Sequence, residues 1–248
     1  MTFNCKNIKT SVDEIQSLCK RCDILLLQET WLLDCDVSFV SILDDDFYGQ
    51  AVSAVDTTSS VLKGRPHGGI AILWRKSMST KCEVVNIDDR LMGLKFTCND
   101  TEFLVLNIYM TYCCDNNLDE YLFYLNKINS VIDDAPTHNV YVLGDFNSDV
   151  TMNAQGRISR KFGYELAEFC KEENFVLSDV SRLDNNSFTY YSESHQTVSW
   201  IDHIVCTSNS DEFIKNINIL YDFISSDHHP IIMEVKCINN VDVIEDDI

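Results

Sequence analysis

Several short apolar runs in this chain end in a carboxylate. Ile24-Leu25-Leu26-Leu27 leads to Gln28-Glu29-Thr30, and Tyr141-Val142-Leu143 leads to Gly144-Asp145-Phe146-Asn147. Trp200-Ile201 leads to Asp202-His203, while Ser225-Ser226 leads to Asp227-His228-His229. Residues that end buried strands sit where a rigid scaffold opens into loops, the usual place for a site. A hard divalent cation such as Mg²⁺ takes one or two carboxylates, waters and a substrate phosphate oxygen. Glu29 and Asp227 supply such ligands. Asp145, Asn147 and His228 supply the base, the amide and the imidazole that a hydrolysis uses. Taken singly, a strand-end Asp is a common turn residue. Gly-Asp-Phe-Asn is more specific: Gly allows a tight turn, and Asp and Asn two apart in extended chain face the same way.

The elements that position these residues follow from hydrophobic period. The continuous run at 23–28 predicts a strand buried on both faces. Before it, Val12, Ile15, Leu18 and Cys19 have helical spacing behind Ser11, a candidate cap. Further strands are expected at 69–74, 82–87, 91–98, 102–109 and 139–143, and in the last third at 175–177, 187–191, 199–206, 214–220 and 230–236. Helices are expected at 118–132, where Leu118, Leu122, Leu125, Ile128 and Ile132 share a face, and at 164–173. Many strands with few helices imply two sheets packed face to face with helices outside. No repeat or low-complexity linker interrupts the chain, so residues 1–238 read as one catalytic domain and 239–248 as an acidic tail.

The chain has 248 residues with 19 Lys+Arg against 39 Asp+Glu, a net charge of −20. Its 45% apolar content is that of an ordinary globular protein and excludes wholesale disorder. So acidic a surface repels nucleic acid and anionic membrane over most of its area, and taken alone favours a small-molecule enzyme or a protein partner. The eleven cysteines are an odd number in a long chain, which reads as reduced thiols rather than a disulfide framework. Cys19-Lys20-Arg21-Cys22 has no second metal-binding pair at zinc-finger distance. The start of the chain is polar and does not read as a signal peptide. The apolar runs at 24–27 and 70–74 fall far short of the roughly 20 residues that cross a bilayer. The expected location is intracellular, nuclear or cytoplasmic, with no membrane partner.

Read together, Gln28-Glu29-Thr30-Trp31, Asn107-Ile108-Tyr109, Gly144-Asp145-Phe146-Asn147, Trp200-Ile201-Asp202-His203 and Ser226-Asp227-His228 resemble the endonuclease/exonuclease/phosphatase superfamily, over residues 2–235. Asn4-Cys5, Gln28 to Leu32, and Gly68-Gly69-Ile70-Ala71-Ile72-Leu73 leading to Arg75-Lys76 are most similar to the apurinic-like endonuclease domain of non-LTR retrotransposons. The resemblance implies a DNase I-like, four-layer α/β/β/α sandwich of two packed mixed sheets with outer helices. It implies Mg²⁺, or Mn²⁺ in its place, held by Asn4 and Glu29 with Asp227 close by. Asp145 would deprotonate the attacking water and Asn147 would fix it. His228, paired with Asp202, would stabilise charge on phosphorus, and Tyr109 would contact the phosphate. Thr189 matches a family position near the phosphate, and Ser226 could hydrogen-bond around Asp227; both are candidate substrate-binding residues.

Substrate choice in this superfamily lies in the loops. Residues 192–198 hold no Lys or Arg, whereas Arg157, Arg160 and Lys161 are concentrated after the Asp145 strand and Lys63 and Arg65 form a second basic loop. These loops are expected to grip phosphates on both sides of a cut. The favoured reading is an endonuclease nicking DNA, monomeric as an isolated domain and part of a larger retroelement polyprotein. The alternatives are a phosphatase or phosphodiesterase acting on a small phosphorylated molecule, a lipid head group or RNA, and a domesticated binding domain that no longer cuts.

Overall fold

The computed structural model describes residues 1–55, 64, 66–86, 88–152, 156, 158 and 160–236. Lys63, Arg65, Arg157 and the acidic tail lie outside the described residues. In chain order the elements are β1 (Thr2–Asn4), α1 (Val12–Cys19), β2 (Ile24–Gln28), a 3-10 segment (Asp34–Ile42), β3 (Phe47–Val52), β4 (Ile70–Arg75), a second 3-10 segment (Lys76–Lys81), β5 (Cys82–Asn86), β6 (Leu91–Cys98) and β7 (Thr101–Tyr109). A short 3-10 turn (Asp115–Asn117) precedes α2 (Leu118–Asp133), followed by β8 (Val140–Asp145), α3 (Lys161–Glu172), β9 (Phe175–Leu177) and α4 (Ser178–Arg182). Then come β10 (Tyr190–Ser192), β11 (Thr197–Ser199), β12 (Asp202–Thr207), α5 (Ser208–Asp211), β13 (Ile214–Ile219) and β14 (Ile231–Val235).

Two six-stranded sheets result, ordered β13-β14-β1-β2-β4-β3 and β5-β6-β7-β8-β12-β9, with β10 and β11 as a separate hairpin. Both sheets are mixed: β1 and β2 are parallel, as are β7 and β8, while their other neighbours are antiparallel. The period-2 alternation of strands sorts each side chain to one of three cores. Leu26, Ile70, Ile72, Phe103, Tyr141, Leu143, Ile204 and Ile231 meet between the sheets. Leu25 and Leu27 turn to the outer face of the first sheet with Ile15, Leu18 and Val40. Val140, Val142 and Val205 turn to the outer face of the second, under Tyr121, Leu125, Phe162 and Leu166 of α2 and α3. This is the expected layered α/β class.

Two local readings differ. Ser11 does not cap α1; its hydroxyl donates to the Cys5 carbonyl at 2.9 Å and ties the helix start to the end of β1. β3 is an edge strand whose sequence lacks alternation, so its pairing with β4 is what makes it a strand. Thiols of nine described cysteines are free, but Cys98 is disulfide-bonded, at odds with uniformly reduced thiols. Among the described residues no helix is long and apolar enough to cross a membrane.

Candidate active site

The alternation that fills the central core also builds the site. On β8, Tyr141 and Leu143 face between the sheets, so Asp145 does too; on β12, Ile204 and Cys206 do, so Asp202 does. Asp145 and Asp202 are register partners across β8 and β12, and Tyr109 is the partner of Asp145 across β7 and β8. From the opposing sheet Asn4 ends β1 as the register partner of Gln28, which ends β2. The chemistry therefore collects at one end of the sandwich, between two sheets fixed by their own cores.

Glycine at 144 is required at this point. With φ at +152° β8 runs so close to β7 that a Cβ there would stand 1.9 Å from the Ile108 carbonyl oxygen. Beneath the carboxylates, Gln28 Nε2 donates to Asn107 Oδ1 at 2.6 Å and to Thr2 Oγ1 at 2.9 Å. Asn107 Nδ2 donates in turn to the carbonyls of Leu27 and Ala71. This buried amide pair fixes the separation of the two sheets under the site.

Asp145 is 2% exposed. Its Oδ2 accepts Asn4 Nδ2 at 2.9 Å and its Oδ1 accepts the Asn147 backbone N–H at 2.9 Å. Asn147, at φ +50°, donates its side-chain amide to the Met110 carbonyl at 2.9 Å, leaving Oδ1 without a donor of its own. His228 Nδ1 donates to Asp202 Oδ2 at 2.8 Å, and its Nε2 lies 3.9 Å from Asp145 Oδ2, beyond hydrogen-bond length. The Tyr190 ring meets the imidazole edge-on at 5.0 Å. Burial pushes Asp145 up to about 7, with the Asp202 charge adding to it and His228, Asn147 and Asn4 opposing. Burial alone would pull His228 down, but the Asp202 charge and hydrogen bond, then Asp145 and Asp227, hold it up at about 9. Near neutral pH the pair thus combines a carboxyl poised to take a proton with a charged imidazole.

Glu29 lies just past β2 with φ at +54°, a conformation that costs a non-glycine residue on the order of 1 kcal/mol. Both its oxygens are oriented: Tyr109 Oη donates to Oε1 and Trp31 Nε1 to Oε2 at 2.5 Å. Burial, then the Glu29 and Asp145 charges, raises the Tyr109 phenol and keeps it protonated. The Arg90 guanidinium stands over the Tyr109 ring at 5.4 Å. Asp227 accepts Lys6 Nζ at 2.5 Å.

Two residues expected at the substrate also hold the backbone around the site. Thr189 is fully buried, and its hydroxyl oxygen accepts the backbone N–H groups of Ile201 at 3.1 Å and Asp202 at 3.0 Å. It holds the entry to β12. Ser226 donates to the Asn4 carbonyl at 2.8 Å and accepts the His228 N–H at 3.1 Å, fixing the turn that presents His228. Arg160 and Lys161, at the start of α3, lie 3.8 Å from Asp149 and Asp115 respectively. Sequence reasoning missed Lys6, the Glu29 donor Trp31 and the Gln28–Asn107 clamp. The signal for Lys6 was its place two residues after Asn4.

Asp145, Asp202 and His228 offer three ligand atoms within 4.8 Å of one another. These three already satisfy one another in part. Glu29, the Asn4 amide oxygen and Asp227 add an all-oxygen donor set, which suits a hard divalent cation.

The endonuclease/exonuclease/phosphatase family profile matches residues 1–228, ending on His228. The chain belongs to that family. Among solved structures, an AP endonuclease from Leishmania major superposes with a TM-score of 0.73 at 13% identity, over 94% of this chain and 85% of that one. A 3′-5′ exonuclease from Neisseria meningitidis gives 0.70 at 14%, over 94% and 98%. The endonuclease domain of TRAS1, a telomere-specific non-LTR retrotransposon, gives 0.68 at 15%, over 95% and 96%. At these identities the likeness is one of fold, and it agrees with the DNase I-like sandwich. No curated protein sequence matches the chain significantly.

Proposed function

We propose that this family member is a divalent-metal-dependent phosphodiester hydrolase, an endonuclease that nicks DNA and works as a domain of a retroelement polyprotein. The observation that carries the reading is the Asp145–His228–Asp202 arrangement at the ends of adjoining strands. A raised carboxyl and a charged imidazole share one small space there, with Glu29 oriented nearby. The retrotransposon type is favoured by the wording of Asn4-Cys5, Gln28 to Leu32 and Gly68 to Leu73, and by the fold likeness to the TRAS1 domain.

Hydrolysis needs an anion attacked by a water that must lose its proton, with negative charge accumulating on phosphorus. Asp145 takes the proton as the water oxygen bonds to phosphorus, and Asn147 Oδ1 orients that water. The bond from phosphorus to the leaving oxygen breaks, the electron pair departs with that oxygen, and solvent protonates it. His228 Nε2–H faces the phosphoryl oxygens, while Asp202 keeps the other ring nitrogen as a donor and the ring in place. A Mg²⁺ or Mn²⁺ ion held by Glu29 and Asn4, with Asp227 beside it, would offset phosphoryl charge as a Lewis acid.

A smaller phosphorylated substrate is favoured by one observation. Basic side chains on several surface segments are committed to acids: Lys9 to Asp36, Arg160 to Asp149, Lys161 to Asp115. The test is incubation of supercoiled plasmid with the chain and Mg²⁺ or Mn²⁺, alongside Asp145→Ala and His228→Ala. Nicked circles from the parent, lost on chelation and in both variants, support the endonuclease. Phosphate release from small phosphoesters without nicking would move the reading to a phosphatase.

A further inference from the structure

Lys6 occupies a deliberate position. Cys5, Asn7 and Ile8 donate their backbone N–H groups to the carbonyls of Gln28, Glu29 and Thr30 at 3.0, 2.8 and 3.2 Å, so the segment carrying Lys6 is tied to the one carrying Glu29. Lys6 and Asn7 both take positive φ, +46° and +99°, uncommon for residues with a side chain. The Lys6 N–H also donates to Asn4 Oδ1 at 3.3 Å. This turn aims the side chain at Asp227, where Nζ meets Oδ2 at 2.5 Å, with the two side chains 47% and 23% exposed. An ion pair this open contributes little to folding. Its position says more: the ammonium sits on one of the carboxylates that would face a divalent cation.

A fixed ammonium and a metal ion repel each other and compete for the same oxygens. Resting on the metal-dependent reading above, we propose that Lys6 is a resident cation of the site that competes with the metal for Asp227. The metal is then carried by Glu29 and Asn4, and Lys6 supplies the positive charge on the Asp227 side. A phosphate entering the site meets two cations, one exchangeable and one built into the chain.

Calorimetric titration of the full chain with Mn²⁺, without substrate, tests this apart from catalysis. Lys6→Met keeps the aliphatic stem and removes the charge; it should bind Mn²⁺ about tenfold more tightly or take up an additional ion. Lys6→Arg keeps the charge and should bind as the parent does. Lys9→Met, which breaks the ion pair with Asp36 elsewhere, should also leave binding at the parent level. Adding Asp227→Asn to Lys6→Met should remove the gain, while Asp227→Asn alone, which leaves the ammonium unpaired beside the site, should weaken Mn²⁺ binding. Equal binding by Lys6→Met and the parent overturns the inference and leaves the metal-dependent reading standing. A gain from Lys6→Met that persists when Asp227 is Asn overturns it as well. No Mn²⁺ bound by any of these proteins overturns both.

Discussion

Two histidine–aspartate pairs flank a single strand of this protein, and they are built for opposite ends. Asp202 and His203 are neighbours on β12, so their side chains leave on opposite faces. Asp202 faces between the sheets and accepts His228 Nδ1 at 2.8 Å. His203 faces outward, where Nδ1 meets Asp179 Oδ2 at 2.8 Å and Nε2 meets the Ser148 carbonyl at 2.7 Å. A carbonyl oxygen only accepts, so both nitrogens of His203 carry protons and its charge is balanced by Asp179. Asp179 is further fixed by the Ile204 N–H at 3.0 Å. The His203 ring has no unpaired nitrogen and no exposure; the His228 ring has one nitrogen turned to the site. What separates the two histidines is the partner of the second nitrogen, more than burial or the presence of an aspartate.

Substitutions should separate the two pairs by what each loses. Asp145→Ala or His228→Ala is expected to cut hydrolysis per folded molecule by about 10²–10⁴-fold, as measured by single-turnover rate on protein shown to be folded by circular dichroism. His203→Ala leaves Asp179 buried without its cation and should cost about 3–5 kcal/mol in denaturant unfolding, with activity per folded molecule retained. If His203→Ala lost activity and kept stability, the contrast between the pairs would be wrong.

The pH responses sharpen the same contrast. In the proposed mechanism Asp145 acts as a base only when deprotonated, so the rate should climb as pH rises through its elevated value near 7. His228 would act when protonated, so the rate should fall as pH rises through about 9. His203 affects stability instead. Burial opposes its charge, but Asp179, its hydrogen bond and the Ser148 carbonyl raise the folded pKa above 6.5. A group raised on folding stabilises fully below its unfolded pKa, so its contribution is complete below about 6.5 and fades as pH rises through the folded value. Denaturant midpoints across that range should decline in the parent and decline less steeply in His203→Ala, where His228 alone of the two still titrates. The smallest effect expected is from Thr189→Val, which leaves two backbone N–H groups without their acceptor at the entry to β12. It should cost about 1–3 kcal/mol and slow turnover modestly through Asp202.

The sequence made the inner-face carboxylates readable because period 2 carries a strand's register into its last residue: Tyr141 and Leu143 announce where Asp145 points. It also separated His203 from Asp202 on the same ground. The backbone contacts of Thr189 were not legible because a hydroxyl near a phosphate motif and a hydroxyl capping two backbone N–H groups look alike in one dimension. Lys6 was overlooked because its role depends on a left-handed turn and on Asp227, 221 residues away. β3 carried too little alternation to stand out, being defined by its neighbour β4.

In the proposed mechanism the inward pair performs the chemistry and the outward pair holds the fold. The plasmid nicking rate per folded molecule, in Mn²⁺, for the parent, His228→Gln and His203→Gln side by side separates these roles. Nicking is expected from the parent and from whatever fraction of His203→Gln remains folded, and none above background from a folded His228→Gln. Equal nicking by His228→Gln and the parent would rule the division of roles out.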